Sequence, residues 1–353
     1  QGFDLFYGYN CQRQAHTYFP VHLWKNDERV FLNNDTVAPG TKLKPGADPM
    51  NEESYSDFWL NDYSPDLMFG EIQDFVGKNS DNPFFLYWAT TIPHAAIQAP
   101  PEWVNYYVGK FGDEDPYTGD KGYFPNRYPH AAYAGMISYL DNQVGLLIQQ
   151  LKELGIYENT VIFFTSDNGP TYNGGTDSEW FNSAGEFREG YGLTKGFVHE
   201  GGIRVPMIAS WPGIIPPGSE SDHISAFWDV LPTLCDIAGT NTPEGLDGIS
   251  FLPTLIGETS QNPHEYLYWE FPESGGQQAV RMGNWKAIRR NIHKGNMTIE
   301  LYDLSTDPLE ENNVAEQNPA IVEDISEIMK REHTTAEIPA FRFTSLGDGP
   351  RDN

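Results

Sequence analysis

Between Ala131 and Leu154, apolar residues recur at Met136, Leu140, Val144, Leu147 and Leu151. That spacing is the period of one helix face. Gly155 follows in the place of a helix-ending residue. After a short turn comes Val161-Ile162-Phe163-Phe164, an apolar run that predicts a short buried strand. A second run, Phe84-Phe85-Leu86-Tyr87-Trp88, predicts another buried strand ahead of the helix. Strand, helix and strand in this order mark a parallel sheet. The chain is therefore expected to be α/β, with a mixed, mostly parallel sheet flanked by helices.

The strand at Val161 stops at Asp167-Asn168-Gly169. In open α/β sheets, ligands bind at the carboxyl ends of strands. Asp167 and Asn168 offer two hard oxygens there, the donor type that calcium or magnesium prefers. Gly169 lets the backbone turn sharply after them. The same triplet also makes a plain turn, and the residues alone leave both readings open.

Asp66 to Val76 predicts a helix, with Leu67, Met68, Ile72 and Phe75 on one side. Tyr172 to Glu200 is a long Gly/Asn-rich loop, of a length often tied to function. Ile203 to Ser210 predicts a strand, which Pro206 confines to an edge or bulge. Asp229 to Ala238 predicts a helix with Pro232 in its first turn. After Gly257 the pattern changes to short strands at Tyr266–Phe271, Gln278–Arg281, Trp285–Ile288 and Glu300–Leu304. Met282-Gly283-Asn284 suits a hairpin turn between two of them. A polar helix follows over Ala320–Arg331, then an irregular tail from Phe341. The expected division is an α/β domain over 1–257 and a small subdomain over 258–353, an antiparallel sheet with a covering helix.

With 50 acidic and 22 basic residues the net charge is −28. That argues against nucleic acid and anionic membranes as partners and fits a secreted or extracellular setting. No run approaches the roughly 20 apolar residues of a membrane span. Cys11 and Cys235 have no zinc-finger spacing; one disulfide between them stays open, and buried free thiols are the preferred reading.

Chemistry-bearing residues recur in four places. They are the Asp167-Asn168 pair, His94 after Pro93 at a strand end, Lys195 in the long loop, and Glu200-Gly201-Gly202-Ile203-Arg204-Val205-Pro206. A donor pair for a metal, a candidate general acid and a cation suit the ester of an anionic oxyacid.

These segments, in this order, resemble the formylglycine-dependent sulfatases of the alkaline phosphatase superfamily. Trp211-Pro212-Gly213, Trp228-Asp229-Val230-Leu231-Pro232-Thr233-Leu234, Asp247-Gly248-Ile249-Ser250, Gly283-Asn284-Trp285-Lys286, Leu301-Tyr302-Asp303-Leu304 and Asp307-Pro308 share the likeness, which runs from about Phe84 to Ala315. The resemblance implies an alkaline phosphatase-like fold. It implies calcium ligands at Asp167 and Asn168, a sulfate contact at Lys195, and a proton donor to the leaving alcohol at His94. It further implies substrate contacts at Arg13 and His16. Glu200, Gly201 and Gly202 are read as structural. His199 and Arg188 are candidates to line the same pocket, but a surface role is the preferred reading.

The family's nucleophile is a formylglycine made within a Cys/Ser-x-Pro-x-Arg motif, and its first strand carries an Asp-Asp pair. Neither occurs in these 353 residues. Gln1-Gly2-Phe3-Asp4 resembles a point well inside such a protein. The expectation is that a complementary N-terminal region supplies both elements, and that this chain alone is inactive and binds calcium weakly. The expected substrate is a sulfated small molecule or carbohydrate, with rings such as Trp88, Trp103, Tyr106, Tyr107, Tyr117, Tyr123 and Trp180 as candidate sugar platforms. The expected location is secreted or periplasmic in a bacterium. Two rival readings are a phosphatase, phosphodiesterase or phosphonate hydrolase of the same superfamily, and a non-catalytic sugar-binding remnant. Asn168 favours calcium over zinc, because imidazole suits zinc better than an amide oxygen does.

Overall fold

The structure, a computed structural model, describes residues 2–352. The chain divides into two compact units. The first is Gln1–Glu158 with Thr171–Asp177, and the second is Asn159–Pro170 with Ser178–Asn353.

The first unit opens with β1 (Tyr7–Gly8), β2 (His22–Lys25) and β3 (Glu28–Phe31), an antiparallel ribbon in that order. Three helices follow: α1 (Ser64–Asn79), α2 (Pro101–Tyr107) and α3 (Pro129–Glu153). Each has proline in its first turn, where the missing N–H costs nothing. The first turn of α3 is closed by the Glu114 carboxylate, which accepts the His130 N–H at 2.6 Å and the Ala131 N–H at 3.3 Å. An anion at a helix N-terminus opposes the helix dipole favourably. Ala132, Met136, Tyr139, Leu140 and Leu151 of α3 are buried, the face that the apolar repeat predicts. Val144 and Leu147 are half-buried.

Phe84–Trp88 departs from expectation. It forms no strand ladder among the described residues, and burial alternates along it. Phe85 is 55% and Tyr87 68% exposed. An apolar run becomes a paired, buried strand only where a neighbouring strand meets its backbone groups.

In the second unit β4 (Ile162–Thr165) pairs antiparallel with β5 (Met207–Ser210), in the register Phe163↔Ala209 and Phe164↔Ile208. No parallel ladder is present among the described residues. Phe164 and Ile208 are 42% and 63% exposed, so β4 is less buried than its composition predicts. Between these strands lie the short turns α4 (Ser178–Phe181) and α5 (Glu200–Ile203). The expected strand at Ile203 thus begins only after Pro206, whose carbonyl accepts the Thr165 hydroxyl at 2.9 Å. α6 (Val230–Ala238) and α7 (Leu252–Leu255) follow.

A four-stranded antiparallel sheet closes the unit, in the order β6 (Leu267–Phe271), β7 (Gln277–Met282), β8 (Trp285–Arg290) and β9 (Ile299–Asp303). Met282 pairs with Trp285, so Gly283-Asn284 is the two-residue loop. α8 (Pro319–Glu332) covers the sheet. Its Ile325, Ile328 and Met329 pack with Val280, Ala287 and Leu301, all buried. Each such side chain contributes about 1.5–3 kcal/mol on burial. This sheet and helix are the elements that the sequence predicts after residue 257, and they lie within the second unit. Cys11 and Cys235 are both free, but only Cys235 is buried. Cys11 stands exposed in a turn, contrary to the reading of it as buried.

Candidate functional site

In the second unit, Asp167 and Asn168 follow β4 directly. Two main-chain bonds tie their loop to the segment around Lys195. The Lys195 N–H donates to the Pro170 carbonyl at 3.1 Å, and the Gly169 N–H donates to the Gly202 carbonyl at 2.9 Å. Glycine is required at both positions. A Cβ on Gly169 would stand 1.9 Å from the Gly201 oxygen, and one on Gly202 would stand 2.1 Å from the Phe197 oxygen. The expected structural role of Gly201 and Gly202 is therefore met by backbone approach.

Burial lowers the pKa of Lys195, while the Asp167 carboxylate pulls it back upward. The ammonium and the carboxylate thus feel one another within this unit. Asn168 Nδ2 donates to Asp167 Oδ1, and Asp167 is exposed. The pair offers hard oxygens suited to calcium, which takes roughly six to eight. Among the described residues no group of three or more His, Cys, Asp or Glu side chains could hold a metal. Asp167 and Asn168 are oxygen donors of the kind calcium takes, and two are fewer than its roughly six to eight.

Beneath this loop lies a charge network that sequence reasoning missed. Lys286 is fully buried, and its Nζ donates to Glu200 Oε1 at 2.6 Å. Arg281 and Arg204 stand 3.5 and 3.6 Å from Glu200 Oε2. Burial raises the Glu200 pKa, but Lys286 and the two arginines outweigh it and leave the pKa below its ordinary value. Glu310 accepts the Glu200 N–H at 2.9 Å, and burial raises its own pKa.

His199 and Arg188 are corrections to the sequence reading. His199 is 2% exposed, and burial with the nearby cations Arg290, Lys286 and Arg188 pushes its pKa down to about 3. Arg188 is half-buried and donates to the Glu310 carbonyl at 2.5 Å. Both belong to the packed base of the loop. Their polarity suggested a surface role, and only the long-range pairing shows otherwise.

Other motif residues are scaffold. The fully buried Asp229 carboxylate accepts the Ala226 N–H at 2.7 Å, the Ile249 N–H at 2.8 Å and His264 Nε2–H at 2.8 Å. It thereby joins three chain segments through one side chain.

His94, His16 and Arg13 belong to the first unit. Tyr18 clamps the backbone around Pro93, with its hydroxyl 2.7 Å from the Thr91 carbonyl and 2.9 Å from that of His94. The residues after His94, Ala95 to Ala99, are all buried, so a half-buried imidazole projects from a fixed support. His94 Nδ1 bonds the Ala95 carbonyl. A neutral imidazole held this way keeps its proton on Nδ1 and leaves acid–base exchange to Nε2. His16 stacks on His94, with centroids 5.6 Å apart and planes at 15°. Arg13 caps the short 3-10 turn Gln14–His16 and is exposed. Three residues per turn place Arg13 and His16 on one side of it. The structure thus groups His16 with His94 in one unit and Asp167, Asn168 and Lys195 in the other.

Comparison with known proteins agrees with the motifs. The sulfatase family profile matches residues 2–240, and the profile of the C-terminal region of N-sulphoglucosamine sulphohydrolase matches residues 189–337. N-acetylgalactosamine-6-O-sulfatase of Bacteroides thetaiotaomicron is 28% identical over 78% of this chain and 52% of its own length. Human arylsulfatase A is 31% identical over 71% of this chain and 49% of its own length. The chain therefore spans about half the length of these curated relatives. The structure of Ps i-CgsB in complex with k-i-k-neocarrahexaose is 27% identical, with a TM-score of 0.65 over 88% of this chain and 57% of that one. The fold is that of these proteins, α/β with an antiparallel C-terminal sheet, and the chain belongs to the sulfatase family.

Proposed function

We propose that the chain is part of an enzyme that hydrolyses a sulfate ester of a sulfated carbohydrate. The observation that carries this is the pair of main-chain bonds linking the Asp167-Asn168 loop to the segments at Lys195 and Gly202. They hold two hard oxygens and a half-buried ammonium in one unit. Lys195 offsets charge on a sulfate oxygen, and its lowered pKa reflects partial removal from water. As an imidazolium, His94 donates the Nε2 proton to the leaving alcohol and keeps the Nδ1 proton on the Ala95 carbonyl. His16 and Arg13 contact the sugar or its sulfate. Asp167 and Asn168 would hold part of a calcium shell, and the ion would supply positive charge at the sulfate. The nucleophile is a formylglycine on a segment that carries the Cys/Ser-x-Pro-x-Arg motif, which these 353 residues lack.

The carbohydrate preference draws on relatives: N-acetylgalactosamine-6-O-sulfatase is named for a sulfated sugar. The test offers an aryl sulfate and the matching aryl phosphate to this chain assembled with a formylglycine-bearing segment. Sulfate is expected to be the better substrate by kcat/KM, and a preference for phosphate would refute the reading. Direct calcium titration of the chain, read by calorimetry, should show weak binding that Asp167→Ala abolishes.

A further inference from the structure

Three rings meet in the first unit. Besides the His16–His94 stack, Tyr123 crosses His16 at 5.1 Å and 63°, and His94 at 5.6 Å and 78°. The chain departs from ordinary backbone geometry to put Tyr123 there. Its φ is +63°, a region that residues with bulky side chains seldom adopt unless the surroundings enforce it.

The enforcement is visible on three sides. Tyr117 and Asn126 close the loop with paired main-chain bonds of 2.9 and 2.8 Å. Asn126 Nδ2 then donates to the Ile97 carbonyl at 2.8 Å, joining this loop to the segment that carries His94. Phe124, next to Tyr123, is buried against Phe58, with centroids 5.3 Å apart. Gly174 supplies the third side. A Cβ there would stand 2.6 Å from Ala95 Cβ and 2.9 Å from Tyr123 Cδ2. Only glycine lets Tyr123 and the residue after His94 pack against one spot.

We propose that Tyr123 is a positioning residue that sets the ring plane of His94, and with it whether Nε2 or a ring carbon faces the sulfate ester. The proposal rests on the reading of His94 as general acid. A histidine ring has a broad, two-fold rotation about its second side-chain torsion, and a half-turn puts Cδ2 where Nδ1 stood and Cε1 where Nε2 stood. The stack with His16 covers one face of the ring against that rotation and leaves the space beside the ring edge open. A ring crossed at 78° blocks that rotation. The bond from Nδ1 to the Ala95 carbonyl is then kept, and Nε2 remains the acid.

The test uses 15N-histidine spectroscopy on the full chain, with His94 assigned through His94→Gln. Wild type and Tyr123→Phe should each show one His94 tautomer, protonated at Nδ1. Tyr123→Leu should show averaged nitrogen signals and a displaced titration midpoint. In the assembly with the formylglycine-bearing segment, Tyr123→Leu should lower kcat about tenfold with KM little changed, and Tyr123→Phe should retain it. An unaltered tautomer and midpoint in Tyr123→Leu overturns the proposal. If that variant does not fold, Gly174→Ala displaces the same ring from below, and unaltered His94 signals in it overturn the proposal equally. Full kcat in His94→Gln would sink the general-acid reading instead, and the tautomer measurement separates that failure from this one.

Discussion

Replacing Lys286 by methionine removes the nearest partner of a buried carboxylate while keeping nearly the same volume. The Lys286 side chain is 0% exposed and that of Glu200 6%. Breaking a buried ion pair from one side costs about 3–5 kcal/mol, because the remaining charge stays out of water. Here two other cations remain. Arg281 is 3.5 Å from the carboxylate and 14% exposed, whereas Arg204 is 3.6 Å away and 54% exposed. They offset part of the loss, so Lys286→Met should destabilise by about 3 kcal/mol, the lower end of that range. Urea unfolding followed by tryptophan fluorescence measures it. The double variant Glu200→Gln/Lys286→Met should recover part of the loss, since the carboxylate is no longer orphaned while Arg281, 14% exposed, loses it as a partner. The pH dependence adds a second check. The folded pKa of Glu200 lies below its ordinary 4.5. The pair's contribution is thus present above pH 4.5 and is lost as pH falls through the lower, folded value. The difference between wild type and Lys286→Met should shrink in the same direction. A Lys286→Met protein within about 0.5 kcal/mol of wild type at neutral pH, the range of an ordinary surface substitution, would refute the reasoning.

Gly202→Ala places a methyl 2.1 Å from the Phe197 oxygen and 2.7 Å from the Thr194 oxygen; it should cost about 3 kcal/mol or more by overpacking, seen as a lowered thermal midpoint. His199→Leu should flatten the loss of stability in acid. The folded His199 pKa of about 3 lies below the ordinary 6.5, so the unfolded chain binds the proton first and stability falls from pH 6.5 downward; denaturation at pH 7 and pH 5 compares the two proteins. His333 bridges Glu270 at 2.7 Å and Asp348 at 2.9 Å. Burial lowers its pKa, but the two carboxylates outweigh burial and raise it above 6.5. Its stabilisation is therefore full below 6.5 and lost as pH rises through the folded value. Asp348→Asn should speed hydrogen exchange at the Phe343 amide, which Asp348 accepts at 2.7 Å, and should weaken that pH dependence without removing it, because Glu270 remains.

What was legible in the sequence was local. The apolar repeat of α3 and the short strands β6 to β9 declare themselves within a few residues, because period and turn chemistry are read from neighbours. Asp167, Asn168, Lys195 and His94 were legible as an ordered set of motifs. The Glu200–Lys286 pair was not, since 86 residues separate the partners and a lone lysine in a strand pattern reads as a solvated edge. His199 was misread for the same reason: its environment is made by Lys286 and Arg290 on β8 and by Arg188 in the long loop. Phe84–Trp88 shows the opposite limit. Composition fixed its extended shape, but a ladder needs a second strand, and no local pattern declares one.

The stitches between Gly169 and Gly202, and between Lys195 and Pro170, are made of peptide groups alone. An engineer could therefore rewrite side chains along the donor loop, Asp167 and Asn168 included, without unhooking it. The anchor is indifferent to their chemistry, and a swapped donor would inherit the same perch.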